Sequence, residues 1–183
     1  MEEQEIPIEQ IRDKIDEEAE VAKLEQREKW TLHTALSTAC IAVLAAIAGL
    51  LSGHHVNEAL IQQIKASDQW NFYQAKSIKS EIANSTNKIL GAFPGSNPGG
   101  ENAATAARYE KEKEEIRKQA EEFQHESEKQ LGIHVTLSKA VTIFQIAIAI
   151  AAIAILTRKR ELWYGSIILT LIGTVFLLMG IFG

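Results

Sequence analysis

The sequence predicts an all-α membrane protein with three transmembrane helices and a long antiparallel coiled-coil hairpin inserted between the first and second. Three observations predict it. Charge-poor stretches at 31–53, 140–157 and 162–183 match or approach the ~20 apolar residues that a helix needs to cross ~30 Å of hydrocarbon. A charged insert at 54–139 separates the first stretch from the second, and its apolar residues recur at alternating spacings of three and four. Within that insert, 91–100 holds four glycines and two prolines, a composition that ends a helix and reverses the chain.

Residues 1–30 come first. Beyond Pro7, the residues Ile8, Ile11, Ile15, Ala19 and Ala22 share one helical face, while the opposite face is mostly acidic. Anionic lipid repels such a face, so this segment reads as a helix that packs on a neighbour or a cytoplasmic partner. It is too acidic for a removable signal peptide and lacks a small-residue cleavage site, so the first span reads as a retained signal-anchor. The second span is slightly short. Its length is made up if Ile133 to Leu137 also insert while Lys139 extends its amine to the headgroups.

Orientation follows from the loop at 158–161. Arg158, Lys159 and Arg160 form a dense cationic turn, which is retained on the cytoplasmic side. Two crossings then place 54–139 and the C-terminus outside and the N-terminus inside, where Arg12, Lys14, Lys23, Arg27 and Lys29 lie near the first span. The lysines and arginines of the insert weigh less, because loops longer than about 60 residues translocate largely regardless of charge. Trp30, Trp163 and Tyr164 fall at the predicted cytoplasmic boundary, where aromatic residues concentrate.

In the first arm of the insert the predicted seam is Ile61, Ile64, Asp68, Asn71, Ala75, Ile78, Ile82, Ser85 and Ile89. In the second it is Ala106, Tyr109, Lys113, Ile116, Ala120, Phe123, Ser127 and Gln130, continued by Leu131 and His134. Folding about 91–100 sets Ile78 opposite Ile116, Ala75 opposite Ala120, Asn71 opposite Phe123 and Asp68 opposite Ser127. Arms of about 35 residues would reach about 50 Å at the standard rise. Lys111 with Glu115, Glu114 with Lys118 and Arg117 with Glu121 are spaced as exposed ion pairs worth a few tenths of a kcal/mol each. Polar seam residues lower stability while fixing register, so a lone hairpin of this kind needs further packing. Trp70, Phe72 and Tyr73 beside the seam point the same way. The expected subunit or partner contact is therefore Asp68, Trp70, Asn71, Phe72, Tyr73, Lys76 and Lys79.

The spans look built for association. Ala35, Ala39, Ala42, Ala46, Gly49 and Gly53 line one face of the first, and small residues let helices approach closely in lipid. Ala140, Ala147, Ala151 and Ala154 do so in the second, and Ser166, Thr170, Gly173 and Gly180 in the third. These stripes can pack within one protomer or between subunits.

Reactive chemistry is thinly represented. The single cysteine, Cys40, sits inside the first span without a partner for an intrachain disulfide. Of the histidines, His54, His55 and His134 could meet, but adjacent residues project about 100° apart on a helix and cannot readily share an ion. No metal or other cofactor is expected. Phosphate loop, nucleophile elbow, paired-cysteine motif and basic nucleic-acid patch are all missing from the sequence, so neither an enzyme nor a nucleic-acid binder is expected. The polar side chains Thr142 and Gln145 in the second span and Thr170 in the third carry no charge.

The stretch Ala66 to Lys79, above all Asp68-Gln69-Trp70 and Gln74-Ala75-Lys76-Ser77-Ile78-Lys79, resembles the 4337 family of bacterial domains of unknown function. The resemblance covers most of the chain and implies a bacterial membrane protein, with no activity attached. The expected function is that of a noncatalytic, homo-oligomeric inner-membrane scaffold or adaptor. It would contact lipid and, through the hairpin, a partner in the cell envelope. The alternative is a channel or transporter subunit whose pore is lined in the oligomer by Thr142, Gln145 and Thr170.

Overall fold

The computed structural model describes residues 8–93 and 101–183, with side chains from 12 and from 104 onward in the two segments. Three helices make up the described chain: α1 (Ile8–Gly91), α2 (Glu101–Thr157) and α3 (Arg160–Phe182). Each contains a stretch long and apolar enough to cross a membrane. No strand occurs among the described residues. The proposed tip at 91–100 lies mostly outside them, since only Gly91, Ala92 and Phe93 are described. There the amides of Ala92 and Phe93 donate to the carbonyls of Ile89 and Leu90 at 3.1 Å, a tightened last turn.

The acidic N-terminal segment, the first apolar stretch and the first arm, expected as separate elements, are one helix of 84 residues. The reason is local. The sequence has no proline between Ile8 and Gly91, and the two interior glycines of α1 before its last residue, Gly49 and Gly53, each weaken a helix by only about 1 kcal/mol. Between α2 and α3 the chain turns at Arg158, whose φ of 57° lies in the left-handed region that side chains with a Cβ seldom occupy. Helix α3 already includes Arg160 and Glu161, which had been placed in the turn, and Glu161 suits the positive end of the helix dipole.

Packing divides the chain into two compact units, Met1–Gly49 with Ser138–Phe182, and Leu50–Leu137. In the first, the buried residues are Thr34, Ile41 and Ala48 of α1, Ala140, Phe144, Ala147, Ala151 and Ala154 of α2, and Ser166, Gly173, Leu177 and Gly180 of α3. The small-residue stripes of α2 and α3 therefore face inward. That of α1 does not. Ala35, Ala39, Ala42 and Ala46 are exposed, and a Cβ on Gly49 would have nothing within 4 Å. Thr34, Ile41 and Ala48 pack in their place, one residue away around the helix.

One large side chain sets the fit of this unit. A Cβ on Gly173 would lie 2.8 Å from the ring of Phe144, which is fully buried and cannot swing aside. Hydroxyls are satisfied within their own helices: Thr34 donates to Trp30 O at 3.0 Å, Thr142 to Ser138 O at 3.0 Å and Thr170 to Ser166 O at 2.8 Å. Trp163 Nε1 donates to Ser37 Oγ at 3.1 Å, tying the start of α3 to α1.

Overpacking at such a contact costs about 1–3 kcal/mol. Gly173→Ala should therefore lower the melting temperature of the purified protein, whereas Gly49→Ala should leave it unchanged or raise it slightly. Equal melting temperatures for the two variants would show that the Phe144 contact is not restrictive.

Candidate functional site

In the second unit the two arms run antiparallel where they touch. Ser52 meets His134, His55 meets Gln130, Ser127 meets Ala59, and toward the far end Lys76 meets Glu112 and Ser80 meets Glu110. On the second arm the inward residues are those of the predicted seam, with Ala106, Ala120 and Ser127 buried and Tyr109, Lys113, Ile116, Phe123 and Gln130 half-buried. Leu131, expected to extend it, is exposed, while His134 is half-buried.

On the first arm the predicted seam is corrected. Every one of its residues, Ile61, Ile64, Asp68, Asn71, Ala75, Ile78, Ile82, Ser85 and Ile89, is exposed. The face turned inward has the same rhythm two residues earlier: Ser52, Ala59, Gln62, Ala66, Tyr73, Lys76, Ser80 and Ala83, all buried or half-buried. Two residues are about 200° of helix, so the choice was between opposite faces. The pairing shifts with it, since Ser127 sits against Ala59 rather than Asp68. The physical reason is visible in that contact. Ser127 Oγ donates to the Ala59 backbone carbonyl at 2.8 Å, a reach possible for so short a side chain only where the helices approach closely. Isoleucines would hold them apart.

The far half of this seam is a cluster of cations, carboxylates and rings. Lys76 ion-pairs with Glu112, and its Nζ lies 5.1 Å from the centre of the Tyr109 ring, which Arg108 also approaches at 5.3 Å. Lys113 Nζ bonds Glu110 at 2.7 Å and lies 5.7 Å from the Tyr73 ring. Ser80 Oγ donates to the same Glu110 at 2.7 Å, and Trp70 packs edge-on to Tyr73 with centres 5.6 Å apart. Nearer the base, Lys65 lies over Phe123 at 5.6 Å. Such contacts contribute about 0.5–1 kcal/mol each at exposed sites.

Of the expected contact residues, Trp70, Tyr73 and Lys76 enter this cluster. Asp68, Asn71 and Phe72 are exposed on the outward side of α1, and Lys79, also exposed, lies beside the cluster, where its charge helps lower Glu112. The residue reading missed Ser80, Glu110 and Glu112 as partners. Their signal was their spacing from Tyr73, Lys76, Tyr109 and Lys113, which becomes informative only once the correct face is chosen. Among the expected surface pairs, Arg117 contacts Glu121 at 3.6 Å and also Glu114 at 2.6 Å.

The histidines take structural partners. His55 Nδ1 donates to Gln130 Oε1 at 2.6 Å, His134 Nδ1 lies 2.9 Å from both the hydroxyl and the carbonyl of Ser52, and His54 packs edge-on to His55. Among the described residues no three His, Cys, Asp or Glu side chains are grouped to hold a metal ion.

The electrostatics of the cluster are those of a clamp. Hydrogen bonds from Lys113 and Ser80 hold the Glu110 carboxyl below its ordinary range, Lys76 does the same for Glu112, and Glu110 raises Lys113. A general acid or base works best with a pKa near the operating pH. These groups move away from it.

A family model described as Domain of unknown function (DUF4337) matches residues 30–183. No curated protein and no solved structure matches the chain.

The depressed carboxylates give a sign for pH dependence. Stability contributed by Glu110 and Glu112 is present above their unfolded pKa, and is lost as pH falls through the lower folded values. The melting temperature should drop on acidification below the ordinary carboxylate range, and drop less in the double variant Glu110→Gln/Glu112→Gln. An identical pH profile for the two proteins would remove these residues from the arm contact.

Proposed function

The chain belongs to the DUF4337 family, and we propose that it is a noncatalytic, oligomeric scaffold or adaptor of a bacterial inner membrane. Its three apolar stretches cross the bilayer, and the paired arms project outside the cytoplasm as a coiled-coil hairpin. The observation that carries this reading is the division of labour between the two units. One holds the apolar helical stretches, whose inward residues are uncharged and mostly small, with most of their large apolar side chains outward, as lipid requires. The other is a pair of charged helices whose seam joins small residues near the base to ion pairs and rings farther out. Paired charges that stay ionised suit a fixed surface, and a fixed surface on a membrane anchor suits holding other proteins in place.

Orientation rests on Arg158, Lys159 and Arg160, held on the cytoplasmic side by their charge, with Arg158 and Lys159 at the turn between α2 and α3. The N-terminus is then cytoplasmic, and residues 54–139 and the C-terminus are extracytoplasmic. The stripe of Ala35, Ala39, Ala42 and Ala46 supports association in the bilayer, because these small residues stay exposed among the described residues.

The channel alternative draws support from Gln145, which is exposed on α2. Thr142 and Thr170 support it less, since both hydroxyls donate to their own helix.

Two measurements test these readings. In a Cys40→Ser background, Asn97→Cys should react with an impermeant thiol reagent added outside intact cells; reaction only from the cytoplasmic side would overturn the orientation. Purified protein in liposomes should show no ion flux above empty vesicles, and flux abolished by Gln145→Leu would replace the scaffold with a channel.

A further inference from the structure

The isoleucines left out of the arm contact form a second seam. Ile61, Ile64, Ile78, Ile82 and Ile89 keep the alternating three-and-four spacing on the outward side of α1, and with Phe72 beside them they are between 45% and 62% exposed. A stripe of that period is complementary to another helix, because knobs fit holes only when both surfaces repeat every 3.5 residues. From this placement we propose that the stripe is the interface with a second copy of the chain, arm 1 against arm 1. The proposal rests on the oligomeric reading above and names its contact surface.

Three features select a second copy. First, the second arm offers no matching surface: between Ala104 and Leu137 the exposed large apolar residues are only Leu131 and Val135, near the base. The complement to the isoleucine stripe is therefore the same stripe on another molecule, an isologous contact. Second, the area is sufficient. At these exposures the six side chains offer on the order of 600 Å² per copy, so about 1,200 Å² for the pair, which reaches the lower edge of stable, specific interfaces. Third, the polar positions behave as register markers. An isologous pairing of arm 1 with arm 1 about a two-fold axis along the arms runs them parallel, so each seam residue meets its own counterpart. Asn71 then meets Asn71, an amide pair that fixes register and favours two strands. Asp68 meets Asp68 one turn away, a like-charge pair that limits the affinity.

The test uses the full-length protein. In the Cys40→Ser background, Ile78→Cys or Ile64→Cys should form disulfide-linked dimers on mild oxidation, and Lys118→Cys, on the exposed side of the second arm, should not. Ile78→Gln/Ile82→Gln should weaken association in detergent at least tenfold with helical content unchanged, while Asp68→Asn should strengthen it. If the protein is oligomeric but seam cysteines do not cross-link and the isoleucine variants keep their mass, this interface is wrong while the oligomeric reading stands. A wild-type chain that is monomeric at every concentration overturns both.

Discussion

Close approach of the two arms across Ala59, Ala66, Ala120 and Ser127 is the constraint on which the rest of the second unit depends. Helices that touch through small residues bring backbone within reach of side chains, as the Ser127 bond to the Ala59 carbonyl shows. Once these positions face inward, helical geometry assigns every other residue of α1 between 50 and 91 to a side. Tyr73, Lys76 and Ser80 must meet Lys113, Tyr109, Glu112 and Glu110, and the isoleucines must face away. The ion-pair cluster and the exposed stripe are two results of one choice.

The same preference for small contacts governs the first unit. Its inward residues are mostly alanine, glycine, serine and threonine, and its one large well-buried ring, Phe144, is accommodated by the missing side chain of Gly173. In the bilayer proposed for these helices, hydrophobic transfer would give them little reason to prefer one another over lipid, so shape and dispersion would have to do so. The inward threonines return their hydroxyls to their own backbones.

Much of this was legible in the residues. Apolar length, the positions of Pro7, Pro94 and Pro98, and the seam of the second arm all point to the helices observed. The first-arm seam was misread because two stripes with the same period lie two residues apart. Ranking them by apolar bulk selects the isoleucines, whereas the arms select the stripe that lets them come closest. The stripe of Ala35, Ala39, Ala42 and Ala46 fails as an intramolecular contact in the opposite way. It is small enough to pack, yet Thr34, Ile41 and Ala48 are the residues that do.

By itself the sequence determined where helix is possible, which segments are apolar enough for a bilayer, and which residues share a face, because these depend only on local stereochemistry and transfer from water. Tertiary structure alone decided which of two equally periodic faces is buried, and with it whether Ile78 or Tyr73 faces inward. That decision compares the fit of whole surfaces across residues more than thirty positions apart. No periodicity within one helix contains that comparison.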